Sequence, residues 1–481
     1  MRGSTTAAIA PVTGFARWIW LAVAAVAFHV AQLSPALGGF MVVFLFALLQ
    51  LSRVSHRMTA MNNGWLLGLA VYAPHLGFFW TIFGPAAIAL WLVLAFWLGL
   101  FLALLRLARE KAGPVAALFV APWLWMGLEY VRCEVNPLRF TWLTPGFAFS
   151  GHAWLAEFGG LGIYGLGAVL MAVAALAAAL RRGPAAAVLA GAVLALGALD
   201  RFPPNRPPDT AAELQVAGVQ LEFPAELEVP LQLEKLRQRF PQVPLFVLPE
   251  YTFQDEPPKR VRDWCRRHGK YLIVGGKSPV GTNQFYNTAF VIGPDGNIVF
   301  QQVKAQPIQF MKDGLPAPAQ RVWESPWGKI GLCVCYDLSY TRVIDELARQ
   351  GARAVIAPTM DIEEWGDGQH RLHGRVAPMR AAEYRIPLFR VCSSGISQSV
   401  NRHGTVESTA PFPGPAEPIT GTLHLGSPAR RPLDRWLVWP GVALAGVLGV
   451  GGFLGALRGP RRDAAPPAGQ PPVAPPETNP R

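Results

Sequence analysis

Long stretches with almost no charged residues occupy the first 200 positions of the chain, and one more lies near its C-terminal end. Each approaches the roughly 20 apolar residues that a helix needs to cross the hydrocarbon core of a bilayer. The pattern therefore predicts a polytopic α-helical membrane domain with about eight spans. The predicted spans are 18–34, 37–52, 64–82, 86–105, 114–131, 157–180, 184–199 and 436–457.

Between residues 201 and 430 the pattern changes, and short β-branched runs alternate with amphipathic helical segments. Apolar strands that alternate with amphipathic helices are typical of an α/β domain whose sheets are covered by helices. The predicted strands are 214–222, 245–250, 271–276, 287–293, 298–304, 329–337, 352–358 and 388–394. The predicted helices of this domain are 228–239, 257–268, 342–350 and 369–384.

The expected organisation has four parts, bounded where the composition changes. Residues 1–200 form a membrane domain with about seven transmembrane helices, 201–430 the α/β domain, and 436–457 the final transmembrane helix. The Pro- and Ala-rich residues 458–481 are expected to be a disordered tail. Of the 481 residues 51% are hydrophobic and 15% are charged, which argues against several soluble domains. Five cysteines are too few for a disulfide scaffold.

The net charge of +12 raises the question of an acidic partner, so the position of the basic residues matters. With the N-terminus inside, twelve basic residues lie at the inner ends of the spans, and the short outer loops carry Arg132 and Arg139. The positive-inside rule then predicts cytoplasmic termini and an α/β domain outside. This placement also argues against nucleic-acid binding. The twelve are Arg2, Arg17, Arg53, Arg57, Arg106, Arg109, Lys111, Arg181, Arg182, Arg458, Arg461 and Arg462.

A transporter is the non-enzyme alternative, because eight spans can form a path. The spans carry almost no charge apart from Glu129 and Glu157, however, and ion routes usually need buried ionisable groups.

The outer loop 132–154, which includes Trp142, is rich in aromatic residues. Taken alone it is typical of an interfacial loop at headgroup depth. Alternatively, it forms a lipid-contacting mouth that presents a membrane substrate to the outer domain.

Three predicted strands end in residues with ionisable or reactive side chains, Glu250, Lys304 and Cys335. Each alone has an ordinary explanation, because a strand Cys is usually a core residue, as is expected of Cys333 on the same strand face. A terminal Glu or Lys is usually solvated. Together they make a coherent acyl-transfer site. The carboxylate takes the thiol proton, the ammonium stabilises an oxyanion, and the sulfur carries the acyl group as a thioester.

The order Leu-Pro-Glu, strand-terminal Lys and Cys-Tyr-Asp resembles the Glu-Lys-Cys arrangement of the nitrilase, or carbon–nitrogen hydrolase, superfamily. With seven predicted spans before it and one after, the chain resembles the apolipoprotein N-acyltransferase family. Residues 64–80 and 139–167 are similar to the membrane segments of that family, and 366–404 to its late nitrilase segment. The resemblance implies that the α/β domain is a nitrilase-like α-β-β-α sandwich.

The resemblance also implies roles, with Glu250 as the base, Lys304 as the oxyanion partner and Cys335 as the nucleophile. The implied acyl donor is a membrane phospholipid, and the acceptor is the N-terminal amine of a diacylglyceryl-cysteine lipoprotein. The implied location is the bacterial inner membrane, with the catalytic domain on the periplasmic face. No cofactor is implied.

The chain departs from the family pattern near the predicted site. The residues expected to bind substrate are Trp142, Asp313, Tyr336 and Asp337. Lys312 stands where the family has an accessory Glu, so either Asp313 substitutes after a one-residue shift or the accessory carboxylate is missing. Asp337 replaces a Glu, and the segment 221–244 is short and lacks the Trp of the family's lid. These departures leave open a membrane-anchored amidase or an N-acyltransferase for another amine.

A metal site is a poor alternative. His370 and His373 are three residues apart on a predicted helix and could reach one metal, with Glu363, Glu364 and Asp367 close in sequence. An HxxH pair without a third ligand at a defined spacing is a weak signal, so no metal is expected.

Overall fold

The computed structural model describes residues 11–180, 182–199, 212–414 and 416–457. The predicted tail 458–481 lies outside the described residues. The described residues before position 200 form helices and connecting loops and contain no strand. The helices are α1 (Gly14–Leu33), α2 (Phe40–Leu51), α3 (Arg57–His75), α4 (Phe78–Phe83), α5 (Ala87–Tyr130), α6 (Trp154–Glu157), α7 (Gly162–Ala179) and α8 (Arg182–Gly197).

Four helical segments among the described residues are long and apolar enough to cross a membrane. They are Gly14–Leu33, Phe78–Val135, Gly162–Ala179 and Asp434–Leu454. Helices α2 and α8 are apolar but shorter. Phe78–Val135 contains two predicted spans, and Gly113 interrupts its helical conformation between them with a φ of 86°. Glycine adopts this conformation without a Cβ clash. An apolar helical domain is therefore present, while the number of crossings stays a prediction.

The second half of the chain contains twelve described strands and five shorter helices, followed by one long helix. The strands are β1 (Glu213–Val219), β2 (Leu245–Val247), β3 (Tyr271–Val280), β4 (Gln284–Ile292), β5 (Ile298–Val303), β6 (Val322–Ser325), β7 (Gly328–Leu332), β8 (Ala354–Thr359), β9 (Leu388–Cys392), β10 (Gln398–Val400), β11 (Val406–Thr409) and β12 (Pro418–His424). The helices are α9 (Glu228–Arg239), α10 (Lys259–His268), α11 (Thr341–Arg349), α12 (Gly366–Gly374), α13 (Val376–Tyr384) and α14 (Asp434–Leu457).

These strands form two six-stranded sheets, in the orders β12-β1-β2-β3-β4-β5 and β11-β10-β9-β8-β7-β6. Strands β1, β2 and β3 run parallel in the first sheet, and β7, β8 and β9 do so in the second. The carboxyl ends of β2 and β7, which precede two of the predicted site residues, therefore belong to the parallel centre of each sheet. Side chains that follow parallel strands are held at the rim of a rigid scaffold.

Alternate residues of the strands point to opposite faces, as the period of two requires. Val216 of β1 and Ile356 of β8 share an apolar core between the two sheets. Ala217, next along β1, packs instead with side chains of α9 and α10. Val355 of β8 belongs to a third cluster with α11 and α13. The layers are therefore helix, sheet, sheet and helix, which confirms the expected nitrilase-like sandwich.

The helical layer on the second sheet also packs against the membrane helices. Val343 of α11 and Leu124 of α5 belong to one continuous apolar cluster. Buried charges cross the same boundary, because the carboxylate of Glu383 lies 2.7 Å from Arg435 of α14. The backbone N–H of Ile163 in α7 donates to the same carboxylate over 3.2 Å. The α/β domain and the membrane domain are thus joined by a shared core.

Several predicted elements have different bounds. The predicted strand 329–337 ends at Leu332, because a tight 3₁₀ turn begins at Cys335. The predicted helix 369–384 is the pair α12 and α13, and the predicted span 64–82 is divided between α3 and α4. The pattern missed β6, β10, β11 and β12. Strand β10 has three residues and β11 is largely exposed, so neither carries an apolar run.

Candidate active site

The structure brings Glu250 and Lys304 together at one edge of the first sheet. Glu250 follows β2, Lys304 directly follows β5, and both side chains are fully buried. Lys304 Nζ donates to Glu250 Oε1 over 2.8 Å, although the two residues are 54 apart in sequence. Because an unpaired buried charge is costly, each group needs the other in this position. The strand-end pattern in the sequence therefore located a real ion pair.

Asp313 is the second carboxylate on Lys304, at 2.7 Å from Nζ. It also accepts the hydroxyl of Tyr251 over 2.8 Å and is 3% exposed. Lys312 is exposed instead. The amide of Asn287, on β4, donates to both Glu250 and Asp313, at 2.6 and 2.8 Å. Asn287 was missed by the sequence pattern, although a polar side chain in an otherwise apolar strand is a usable signal.

Cys335 comes from the second sheet and faces this cluster across the sandwich. Its φ is 52°, a left-handed conformation that is uncommon and strained for a residue with a Cβ. Its sulfur donates to the Met360 carbonyl at 3.5 Å, and the Met360 N–H donates to Glu250 over 2.8 Å. The turn also separates two thiols, because Cys335 packs in the core between the sheets and Cys333 packs in the outer cluster. The expectation that they share a strand face is therefore wrong, since strand alternation stops before the turn.

Burial and the nearby carboxylates favour the protonated thiol of Cys335. Burial, reinforced by the Glu250 carboxylate, raises the pKa of Cys335 well above its usual value, against the opposing effect of Lys304. Burial also raises the pKa of Glu250, with Asp313 adding to the effect and Lys304 opposing it. For Lys304 burial favours the neutral amine, but Asp313 and Glu250 outweigh it and hold the pKa well above its usual value. A thiol in this environment would need a base to act as a nucleophile.

Asp337 is fully buried, and its carboxylate binds backbone groups around the cluster. Its carboxylate accepts the N–H groups of Val334, Ala305 and Gln306, at 3.1, 3.0 and 2.6 Å. Burial raises its pKa to about 6. These bonds tie the chain that follows Lys304 to the turn that carries Cys335, and Asp337 is not among the residues that line the adjoining cavity.

A cavity of about 740 Å³ opens beside Cys335. Its walls come from both halves of the chain. The membrane half supplies Phe78, Phe83 and Leu90 from α4 and α5, together with Trp142 of the outer loop. Tyr336 lines it next to Cys335. The walls are largely apolar, so the cavity suits a hydrocarbon chain better than a small polar amide.

Asp361 and His373 form a second buried cluster beside the sulfur. A ring nitrogen of His373, a carboxylate oxygen of Asp361 and the sulfur of Cys335 lie within 4.8 Å of one another. Asp361 is already bonded by Arg390 at 2.6 Å, which makes it a poor metal ligand. His370 instead contacts the Ile362 carbonyl at 2.9 Å, so the two histidines do not share a site. Asp361 follows an apolar strand as Glu250 does, and that signal could have identified it.

Two family models match separate segments of the chain, and whole proteins match it as well. Residues 21–176 match the family model for the apolipoprotein N-acyltransferase N-terminal domain, and residues 229–411 match that for carbon-nitrogen hydrolase. The apolipoprotein N-acyltransferase of Geobacter metallireducens is 23% identical over 430 residues, covering 76% of this chain and 81% of that protein. That of Bdellovibrio bacteriovorus is 24% identical over 264 residues, which are 46% of this chain and 47% of that protein.

Two further matches are confined to shorter parts of the chain. The omega-amidase NIT2 of Xenopus tropicalis is 26% identical over 122 residues, which are 23% of this chain and 44% of that protein. The crystal structure of Saccharomyces cerevisiae Nit3, a member of the nitrilase superfamily, matches with 19% identity and a TM-score of 0.40. It covers 46% of this chain and 93% of that one.

Proposed function

We propose that this chain, which belongs to the apolipoprotein N-acyltransferases of the nitrilase superfamily, transfers a fatty acyl group from a membrane phospholipid to the N-terminal amine of a lipoprotein. The acyl group travels as a thioester on Cys335. One observation carries this proposal: the cavity beside the nucleophile is apolar and is walled by both the α/β domain and the membrane helices. An apolar wall of this kind does not suit the small polar substrates of an amidase.

In the first half-reaction the Cys335 thiol attacks the ester carbonyl carbon of the phospholipid. Glu250 takes the thiol proton as the carbon–sulfur bond forms, and Lys304 stabilises the oxyanion. The tetrahedral intermediate then collapses and the ester carbon–oxygen bond breaks. Glu250 returns the proton to the departing oxygen, so that a lysophospholipid leaves and the enzyme holds a thioester.

In the second half-reaction a neutral amine attacks the thioester carbon. The carbon–nitrogen bond forms and the carbon–sulfur bond breaks, while a proton of the amine passes through Glu250 to the sulfur of Cys335. The products are an amide and the free thiol. No proton or electron is left over, and no cofactor is required.

Four other residues support these steps in the proposal. Asp313 stands in for the accessory carboxylate of the family, because it contacts Lys304 at 2.7 Å. Asp337 positions the backbone rather than the substrate, since its carboxylate accepts three backbone N–H groups. Trp142 and Tyr336 form part of the wall that contacts the acyl chain.

We place the protein in the bacterial inner membrane, with about eight spans, the α/β domain on the periplasmic face and both termini in the cytoplasm. The support is the bias of basic residues toward one side of the predicted spans. Amphiphilic substrates explain why such a domain is held at a bilayer. The amidase and transporter alternatives are not favoured, because the acyltransferase match extends over both halves of the chain.

The test uses the full-length protein in detergent with a phospholipid labelled in its acyl chain. We expect a hydroxylamine-sensitive label on the protein that Cys335→Ala abolishes. Cys333→Ala is the matched control, since that thiol packs in the other cluster, and it should retain the label. Addition of a diacylated lipopeptide should move the label to the peptide amine. Labelling that survives in Cys335→Ala would refute the mechanism, and release of free fatty acid alone would indicate a hydrolase.

A further inference from the structure

The carboxylate of Asp361 is fixed by several donors next to the nucleophile. Arg390 lies 2.6 Å from Oδ2, and Gln369 donates to Oδ1 over 2.8 Å. Nδ1 of His373 lies 2.8 Å from the same Oδ1. Burial alone would raise the pKa of Asp361, but His373 and Arg390 bring it below the usual value. Asp361 is therefore ionised and can only accept hydrogen bonds.

This arrangement decides which nitrogen of His373 carries the proton. Since Asp361 only accepts, Nδ1 of His373 must donate, and Nε2 keeps a free lone pair. Nε2 is buried, and it has no hydrogen-bond partner among the residues that the structure describes. Buried polar atoms are nearly always satisfied, so an orphaned acceptor at a cavity wall calls for a ligand that donates.

The imidazole that carries the orphaned atom lies beside the sulfur of Cys335. His373 lines the cavity together with Cys335, and a ring nitrogen of His373 lies within 4.8 Å of the sulfur. The indole of Trp142 stacks on the imidazole, with ring centroids 4.7 Å apart, which covers a ring face and leaves the ring edge available. Attack on a carbon bound to sulfur begins about 3–3.5 Å from that carbon. An amine at this distance from a thioester carbon on Cys335 would therefore occupy the part of the cavity that His373 also lines.

The lone pair discriminates between the two substrates. The reacting ester of a phospholipid offers only acceptor oxygens at its carbonyl, whereas a neutral amine offers N–H groups. Burial, followed by the charge of Arg390, lowers the pKa of His373 to about 4. The imidazole is therefore neutral at physiological pH and keeps the lone pair available for a donor.

We propose that Nε2 of His373 forms the subsite for the acceptor amine, an inference that rests on the proposed function. One N–H of the neutral amine donates to Nε2, which aims the nitrogen lone pair at the thioester carbon. The carbon–nitrogen bond then forms as the carbon–sulfur bond breaks. A second proton of the amine passes through Glu250 to the sulfur of Cys335, and the first stays on the product amide.

The test separates the two half-reactions in the full-length protein in detergent. The enzyme is first acylated with a labelled phospholipid and then supplied with a diacylated lipopeptide. His373→Asn keeps an amide N–H near Nδ1 toward Asp361 but has nothing at Nε2. His373→Gln instead places an amide oxygen near Nε2. We expect His373→Asn to form the thioester but to transfer it at least about tenfold more slowly, and His373→Gln to recover part of the transfer rate.

His370→Asn is the matched control, because it removes a buried ring from the same helix. That ring contacts the Ile362 carbonyl and the Phe412 ring and does not line the cavity. This variant should transfer at the wild-type rate. An equal loss of both half-reactions in His373→Asn would mean a structural role and would overturn the proposal, as would transfer at the wild-type rate. A wild-type thioester that never acylates the lipopeptide would refute the proposed function instead, independently of either variant.

Discussion

The indole of Trp142 lies nearly parallel to the imidazole of His373, with an angle of 16° between the ring planes. One residue belongs to the loop between membrane helices and the other to the α/β domain. The indole N–H also donates over 2.8 Å to Ser339, the last residue of the turn that begins at Cys335. The membrane domain therefore supplies more than an anchor, because one of its loops orients side chains beside Cys335.

Replacing Trp142 by Ala should slow the transfer step and lower stability. The change removes the stacked ring from His373 and a buried side chain that is 4% exposed. Large-to-small changes of this kind cost about 3–5 kcal/mol. Trp142→Phe keeps an aromatic ring that can stack on His373 but loses the bond to Ser339 and part of the buried volume, so it should stay within a few-fold of wild type in transfer. Single-turnover transfer and thermal unfolding in detergent measure both effects, and equal transfer rates in the two variants would contradict the stacking role.

Asp313→Asn should slow thioester formation, whereas Lys312→Ala should not. Lys304 is held between two carboxylates, and the Asn variant leaves it with one. Hydrogen bonds to charged groups contribute about 1.5–3 kcal/mol, which predicts a loss of roughly tenfold to a hundredfold. The labelled-phospholipid assay under single-turnover conditions gives this rate. A loss in Lys312→Ala that matches the loss in Asp313→Asn would mean that Asp313 is not the accessory carboxylate.

The stability of the folded protein should depend on pH through His373. An unfolded chain protonates this ring at about 6.5, but the buried ring has a pKa of about 4. Between these values the unfolded state holds more protons, so stability falls as the pH falls through this window. The shift corresponds to a loss on the order of 3 kcal/mol.

His373→Asn should therefore lose less stability than wild type between pH 7 and about pH 4.5. Burial gives Asp337 a pKa of about 6, which contributes the opposite trend, but it does so in both proteins. The difference between their melting temperatures across pH isolates the histidine. Parallel melting curves would show that His373 is not buried in its neutral form.

Glu383→Gln should destabilise the junction between the two halves. Glu383 contacts Arg380 and Arg435, and all three side chains are buried. Removing one member of a buried charge pair costs about 3–5 kcal/mol, because it leaves the partner uncompensated. Asp367→Asn is the matched control, since its pair with Arg371 is solvent-exposed and contributes about 0–1 kcal/mol. Thermal unfolding of the full chain should separate the two variants clearly, and equal melting temperatures would contradict the role of the junction.

The sequence allowed part of this site to be predicted because three of its residues terminate apolar strands. Glu250, Lys304 and Cys335 interrupt patterns that are visible without a structure. Asn287 and Arg390 lie inside strands, and their neighbours depend on sheet register, which no local pattern specifies. The same limit explains the error at Cys333, because periodicity assumes a continuous strand and a single positive φ at Cys335 reverses the face.

Elsewhere in the chain, too, some elements could be predicted from the sequence and others could not. Runs of apolar residues predicted the helices well, since composition alone makes them visible. Gly113, where the helical conformation is interrupted, lies between two of the predicted spans. The short strands β10 and β11 were missed because they are held by their neighbours in the sheet rather than by an apolar run of their own.

The apolar cluster shared by α11, α13 and the membrane helices has a practical consequence for producing this enzyme. A fragment of residues 212–430 would retain both sheets and the residues proposed for catalysis. It would, however, expose apolar side chains of the outer helical layer, such as Val343 and Tyr384, which are buried in the intact chain. Exposed apolar patches of that kind drive self-association. The catalytic half of the molecule is therefore not a separable reagent, and inhibitor screening or crystallisation will need the intact chain in a lipid mimetic.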